Sequence, residues 1–430
     1  MARSRPPRRT APVAPKRRVT LSVTDIGARG DGVAMLDGAP VFVPLTAPGD
    51  VAIADVRGER GALVELIEKS PHRAAPPCKH YGQCGGCALQ HVSLEFYRGW
   101  KRARVVETLA RSGLGDAPVS DLIKTPAASR CRATFAVTRS KAGAVLGFNA
   151  RQSSEIVAID DCQILHPDLL RALPALRELA GEINAPSFDL SVTLCRNGLD
   201  VDIIGKAVAE PRGSALQSLM RAMSAARAVR LSLNGETLVA IEAPVVDVDG
   251  IAVTPPPGGF LQASREGEAA LLALVKVGVG PARKIADLFS GCGAFALPLA
   301  KTATVFAADV DARAVTALTE AAAAAQRMGL NVNPLRAEPR DLFERPLRAG
   351  ELREFDAVVF DPPRAGARAQ AEELAKSKVP VVVAVSCDPS TFARDAAILS
   401  RGGYRLFKVT PVDQFVYSPH VELVGVFERG

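Results

Sequence analysis

Apolar and polar residues alternate over short stretches near the start of this chain and give way to longer apolar runs towards its end. Val19-Thr-Leu-Ser-Val23, Gly32-Val-Ala-Met-Leu36, Pro40-Val-Phe-Val-Pro44, Val51-Ala-Ile-Ala-Asp-Val56 and Ala62-Leu-Val-Glu-Leu-Ile67 are separated by turn residues. Five short strands in about fifty residues predict a small barrel of the oligonucleotide-binding type, although the same periodicity would serve a β domain used only for packing. Residues 70–77, Ser-Pro-His-Arg-Ala-Ala-Pro-Pro, read as a linker. Residues 89–111 are helical by composition and carry Arg98, Lys101, Arg102, Arg104 and Arg111, while 125–257 mix strand-like and helix-like runs without a nameable motif. From Ile285 the pattern changes to apolar runs at 285–289, 304–309, 356–361 and 379–385, with helical stretches between them, notably the Ala-rich 313–327. Strands alternating with helices predict a doubly wound α/β domain, and 421–428 suits a late strand inserted beside the parallel set.

Composition adds a boundary. With 430 residues, 48% apolar and 23% charged, the chain is long enough for two or three cores. Sixteen Phe against one Trp and four Tyr argue against a broad aromatic stacking surface. The net charge of +7 lies entirely in residues 1–18, where Arg3, Arg5, Arg8, Arg9, Lys16, Arg17 and Arg18 occur without an acid. This segment is expected to be a disordered basic arm that adds salt-dependent phosphate affinity, leaving a neutral body whose nucleic-acid surface must be a local patch. No stretch has the length of a membrane span, and the first residues lack the apolar core of a secretory signal, so no membrane is expected. Eight cysteines in such a chain indicate a reducing compartment, the cytoplasm.

Four groups of residues carry candidate chemistry. Cys387 ends an apolar run inside Ser386-Cys-Asp-Pro389, at a strand-to-helix corner where open parallel sheets place their chemistry. A lone cysteine there is more often a small buried apolar residue, so its role depends on its neighbours. Asp287-Leu-Phe-Ser-Gly-Cys-Gly293 joins a strand to a helix through a glycine turn, with Asp309 ending the next strand. A dinucleotide fits the loose glycine fingerprint, but Asp287 is poor company for pyrophosphate and good company for the cationic sulfonium of S-adenosylmethionine. Asp361-Pro-Pro-Arg364 is similar to the acid-Pro-Pro element of methyltransferases that act on nucleobase nitrogens, except that Arg364 stands where those carry an aromatic residue. Finally, Cys78, Cys84 and Cys87 are spaced C-x5-C-x2-C, and with a fourth thiol from Cys162, or less readily Cys131, they suit zinc or an iron-sulfur cluster.

Together with Phe415-Val-Tyr-Ser-Pro-His-Val-Glu422, these motifs resemble the RNA uracil-C5 methyltransferase family in order and spacing. The resemblance covers essentially everything from Val19 onward. It implies a class I S-adenosylmethionine-dependent methyltransferase (Rossmann-like) α/β domain at 93–124 and 258–430. It also implies an N-terminal five-stranded OB-like TRAM β-barrel at 19–73 and a central α+β iron-sulfur domain at 74–92 and 125–257. In that family a thiolate adds to uracil C6 and a carboxylate later removes the C5 proton, roles that fall to Cys387 and Glu422. Gln262, Phe289, Asp309, Asp341 and Asp361 match positions of the cofactor and substrate pocket, and Cys78, Cys84, Cys87 and Cys162 match the ligands of a [4Fe-4S] cluster. Ala294 and Ser264 depart from the family, where Asn is common at both places. Barrel plus cluster is similar to the 23S ribosomal RNA branch rather than the transfer RNA branch, and a monomer is expected. The alternatives are a non-catalytic rRNA-binding or assembly factor on a methyltransferase scaffold, a tRNA uridine-C5 methyltransferase, and, on the glycine fingerprint alone, a dinucleotide oxidoreductase.

Overall fold

A computed structural model of the protein describes residues 15–140 and 143–429. Contacts divide the chain into two compact units, Met1–Pro76 with Cys87–Tyr97, and Pro77–Gly86 with Arg98–Gly430.

In the first unit β1 (Arg17–Ile26), β2 (Gly32–Leu36), β3 (Ala39–Val43), β4 (Val51–Arg57) and β5 (Arg60–Glu68) form a closed barrel in the order β1-β2-β3-β5-β4. The inward positions of the alternating stretches, Leu21, Ala34, Val41, Val43, Ala54 and Val56, make its core. The barrel closes between β3 and β5 through one parallel pair, Phe42 opposite Arg60. The basic arm expected over 1–18 is shorter at its end than anticipated. Arg17 and Arg18 already belong to β1, where they lie opposite Val56 and Asp55, and Lys16 and Arg18 both pair with Asp55. Residues 1–14 of that arm lie outside the described residues.

Helix α1 (Leu94–Arg111) starts five residues later than its composition suggests, because Ser93 accepts a hydrogen bond from the Phe96 amide at 3.2 Å and so caps the first turn.

Among the described residues the second unit contains two large sheets and a two-stranded one. β6 (Ile123–Lys124) precedes the motif-poor region, which folds into β7 (Arg132–Ser140), β8 (Gly143–Asn149), β9 (Ile156–Ala158), helix α2 (Pro167–Glu182), β10 (Ser187–Leu194), β11 (Leu199–Ile204), helix α3 (Ser214–Ala225), β12 (Ala228–Leu233) and β13 (Glu236–Ala240). Its seven strands run β13-β12-β11-β10-β7-β8-β9, and Phe135, Leu146, Leu190 and Val201 pack with Leu169, Leu173 and Leu176 of α2. After a short hairpin, β14 (Val246–Val248) and β15 (Ile251–Val253), come α4 (Arg265–Val279), β16 (Lys284–Leu288), α5 (Ala296–Ala300), β17 (Thr304–Asp309), α6 (Ala312–Arg327), β18 (Leu335–Pro339), β19 (Ala357–Phe360), α7 (Arg368–Lys376), β20 (Val381–Ser386), α8 (Pro389–Arg401), β21 (Tyr404–Asp413) and β22 (Glu422–Arg429).

The eight-stranded sheet has the order β18-β17-β16-β19-β20-β22-β21-β6. β16 to β20 pair in parallel, and β22 enters antiparallel between β20 and β21, which is the late inserted strand expected from 421–428. Helices α4, α5 and α6 cover one face through Leu271, Val275, Leu297 and Leu318, and α1, α7 and α8 cover the other through Leu109, Leu374 and Phe392. Both faces being covered explains the near-continuous apolar strands. Strand order reverses between β16 and β19, so the crevice at their carboxyl ends is where a ligand of an open α/β sheet binds.

Candidate active site

Cys387 sits between β20 and α8. Asp388 caps α8 by accepting from the amides of Ser390 (2.8 Å) and Thr391 (3.2 Å), and Pro389 fills the first helical position, so Asp and Pro make the corner abrupt. The antiparallel ladder between β20 and β22 ends on Ser386 opposite Leu423. Cys387 and Glu422 are the residues next to that last pair, one on each strand. Burial, then the nearby carboxylates of Glu422 and Asp361, push the Cys387 thiol up to about 11, while Arg364 pulls it down. Glu422 is 5% exposed, and burial followed by the charge of Asp361 pushes it up to about 8, against Arg364 and Lys101. Asp361, just beyond β19, is pushed up to about 7 by burial and accepts a hydrogen bond from Gln262 at 3.2 Å. The thiol, the candidate base and a polar pair able to face a nucleobase thus come from three adjacent strands and the segment before α4.

The loop that delivers Glu422 is held from behind. Lys101 of α1 is fully buried and its Nζ donates to Asp413 Oδ1 (2.5 Å) and to the Phe415 carbonyl (3.1 Å). Burial lowers its pKa to about 8, against the pull of Asp413. Arg104 donates to the Pro419 carbonyl and stacks over Trp100 at 4.9 Å. His420 lies 3.3 Å from Arg364 (Nε2 to Nη2), and burial drives it down to about 4, so at neutral pH the imidazole accepts from the guanidinium. Lys101, Arg104 and His420 were not foreseen as site residues. For Lys101 and Arg104 no sequence signal existed, since a basic helix reads as a solvated face, whereas His420 lay inside a motif already singled out.

The cofactor loop follows β16. Phe289 has φ +62°, which for a residue with a side chain stores roughly 1 kcal/mol or more of strain. Gly293 has φ +93°, and a Cβ there would lie 2.4 Å from Leu318 Cδ1, so the loop approaches α6 too closely for any other residue. Asp309 accepts from the amides of Gly291 (2.9 Å) and Asp311 (2.8 Å) and ties the turn to the end of β17. Asp341 accepts from the Phe343 amide at 2.9 Å, and the Phe289 and Phe343 rings stand 5.5 Å apart. Asp287 is fully buried without a well-formed hydrogen bond to either carboxylate oxygen among the described residues. Burial and the charges of Asp361 and Asp309 hold it well above the usual carboxylate range. Carboxylates concentrated at one loop repel a pyrophosphate and favour a cation, so the residues fit S-adenosylmethionine better than a dinucleotide. Of the two departures, Ser264 acts as N-cap of α4 by accepting from the Gly267 amide at 3.1 Å, a role Asn also fills, and Ala294 presents no polar side chain.

Cys78, Cys84 and Cys162 lie near enough to influence one another: burial raises the Cys84 and Cys162 thiols, with Cys78 adding to both. Lys79 and His80 bind Asp160 at 2.8 and 2.9 Å and so tether the first cysteine segment beside Cys162, and the Gly86 amide donates to Cys84 Sγ at 3.4 Å. Cys87 falls in the first unit. Among the described residues no group of three or more His, Cys, Asp or Glu side chains is arranged to hold a metal ion. Cys131, Cys195 and Cys292 are buried.

The parallel sheet, its switch-point loop and the carboxylates around it define an S-adenosylmethionine-dependent methyltransferase of class I architecture. A family model described as tRNA (uracil-5-)-methyltransferase matches residues 267–429. The chain is 44% identical over 419 residues to an uncharacterised RNA methyltransferase of Rhizobium meliloti, covering 95% of this chain and 99% of the other. It is 32% identical over 432 residues to a 23S rRNA (uracil(1939)-C(5))-methyltransferase of Chromohalobacter salexigens, covering 95% and 89%. The solved structure of Pyrococcus abyssi tRNA (uracil-54, C5)-methyltransferase with S-adenosyl-L-homocysteine superposes with a TM-score of 0.71 over 96% of this chain and 100% of that one, at 23% identity, and shares the fold. The chain belongs to the RNA uracil-C5 methyltransferase family, and it is an S-adenosylmethionine-dependent enzyme. No described helix is long and apolar enough to cross a membrane.

Proposed function

We propose that this enzyme methylates C5 of a uridine in 23S rRNA, with Cys387 as nucleophile and Glu422 as base. The reading is supported above all by the closeness of Cys387 to Glu422 and Asp361, whose charges both act on the thiol at the end of the β20–β22 ladder. The Cys387 sulfur adds to uracil C6, and the ring becomes an enolate whose C5 is nucleophilic. S-adenosylmethionine, when bound, supplies the electrophilic methyl group to that carbon. Glu422 then takes the C5 proton, the C5–C6 double bond re-forms, and the thiolate leaves. The target must be lifted out of its stack to reach a thiol at the foot of a crevice, which favours a loop uridine over a paired one. Gln262, Phe289, Asp309, Asp341 and Asp361 form the pocket for donor and base. Asp309 serves by fixing the loop backbone as much as by direct contact, since both its oxygens already accept amides. The 23S assignment draws on the relative from Chromohalobacter salexigens. Incubation with radiolabelled S-adenosylmethionine and unmodified transcripts should place label in 5-methyluridine of 23S rRNA, and label confined to tRNA would refute the assignment.

Cys78, Cys84, Cys87 and Cys162 are proposed to bind a [4Fe-4S] cluster that holds the seven-stranded sheet and the loop at 78–87 in one arrangement. The partly buried thiols and the amide donated to Cys84 Sγ are of the kind that bind and tune such a cluster. Anaerobic purification should yield a brown protein with about four irons per chain, and Cys84→Ser should lose the colour and the iron. A colourless, iron-free wild type with unchanged RNA affinity would remove the cluster from the account.

A further inference from the structure

Gln414 follows the last residue of β21, and neither the reaction nor the cofactor pocket described above uses it. It is 5% exposed. Its Nε2 donates to Gln262 Oε1 at 2.8 Å, and Gln262 Nε2 donates in turn to Asp361 Oδ2 at 3.2 Å. The three side chains make a directed chain with the carboxylate at its accepting end. We propose that Gln414 is a positioning residue that fixes the amide orientation of Gln262 and thereby sets the preference of the site for uracil over cytosine. The inference rests on the uracil-C5 reading of the site.

An amide side chain offers a donor and an acceptor on one edge, and turning it over exchanges them. In the observed orientation Gln262 retains one N–H and one oxygen lone pair for a ligand. Uracil presents an acceptor at O4 beside a donor at N3, whereas cytosine presents a donor at N4 beside an acceptor at N3. A Gln262 edge that suits one base therefore opposes the other, and opposing a base leaves buried polar groups unpaired. Asp361 alone does not hold the orientation at every pH, because its carboxyl, pushed up to about 7, can donate to an amide oxygen once protonated. Gln414 supplies the missing constraint. Reversing Gln262 would set its amide nitrogen against the Gln414 amide nitrogen, two donors face to face.

The position of Gln414 is itself constrained. The preceding residue, Asp413, is bound by Lys101, and its carbonyl accepts from Thr125 Oγ1 at 2.5 Å. Gln414 Oε1 has no hydrogen-bond partner among the described residues and rests against Gly267. A Cβ at Gly267 would come within 2.5 Å of that oxygen and 2.7 Å of Gln414 Cγ. Gly267 lies in the first turn of α4, where alanine would favour the helix, yet only glycine leaves room for the glutamine.

The test uses the full-length enzyme, S-adenosylmethionine and two 23S rRNA transcripts that differ only in uridine or cytidine at the position found to be modified. Gln414→Leu should keep cofactor affinity within about twofold, lower kcat/KM on the uridine transcript about tenfold, and narrow the uridine-to-cytidine ratio of kcat/KM by a similar factor. Gln262→Leu should cost at least as much, and the double variant should be no worse than Gln262→Leu alone, since Gln414 acts only through Gln262. Losses that multiply in the double variant, or a Gln414→Leu enzyme with the wild-type ratio, would overturn the inference. If the wild type itself does not methylate the uridine transcript, the uracil-C5 reading falls, an outcome distinct from either.

Discussion

Cys387→Ala should reduce methyl transfer by at least about 10⁴-fold and abolish any covalent complex with 5-fluorouridine RNA. Without a nucleophile at C6 the uracil ring has no route to a reactive C5, and the glycine loop and its carboxylates cannot substitute. The fold should survive the change. The corner is set by the Asp388 cap and Pro389, neither of which involves the sulfur, so the melting temperature should stay within a few degrees of wild type. The free enzyme should also be a poor target for alkylation at neutral pH. With its thiol pushed up to about 11 by burial and the neighbouring carboxylates, Cys387 is protonated at rest. The thiolate must therefore form when the substrate arrives, its proton leaving to solvent and its charge balanced by Arg364. Tritium transfer to RNA, gel-shifted adduct and iodoacetamide labelling measure the three effects. More than about 1% residual methylation in the alanine variant would remove Cys387 from its role.

What was legible in the sequence is what leaves a local trace. The cofactor loop needs Gly291 and Gly293 because of positive φ and close approach to α6, and such needs are written directly as residue types. The Asp-Pro after Cys387 is a helix start that any reading recovers, and alternation revealed the barrel because each strand has one wet face. The unread features depend on partners distant in the chain. Lys101 and Asp413 are 312 positions apart, and Gln262 and Gln414 are 152 apart. A basic helix and a glutamine after a strand look solvent-facing until tertiary structure buries them. The seven-stranded sheet was opaque for a related reason: β12 pairs in parallel beside β11, while β10 bonds back to β7 across the inserted helix α2, so adjacency does not follow chain order. Asp309 is expected in the cofactor pocket, and its oxygens also hold the Gly291 and Asp311 amides, a structural duty invisible in a strand-ending acid.

Glu422→Gln should separate the two halves of the reaction. Addition and methyl transfer need Cys387 and the donor, whereas removal of the C5 proton needs a carboxylate, so the variant should accumulate methylated, covalently bound RNA while turnover falls by about 10³-fold. The wild-type pH profile follows from the same group. A base works when ionised, and Glu422 is pushed up to about 8, so turnover should rise with pH through the 7–9 range and then level. Folding stability should respond in the opposite sense. A carboxyl whose pKa is raised on folding binds its proton more tightly in the native state, so its contribution is complete below the ordinary glutamate pKa of 4.5 and is lost as pH climbs through about 8. Asp361, raised to about 7, adds to the same slope. Glutamine is neutral throughout, and the variant should therefore lose less stability than wild type between pH 5 and pH 9 in denaturant titrations. The two signs discriminate between roles for the residue. A carboxylate that merely sat at the strand edge would leave turnover and its pH limb intact in the glutamine variant. A base at C5 predicts a trapped adduct, a vanished limb and a flatter stability curve in one protein. Absence of the adduct alongside wild-type turnover would show that the proton leaves by another path.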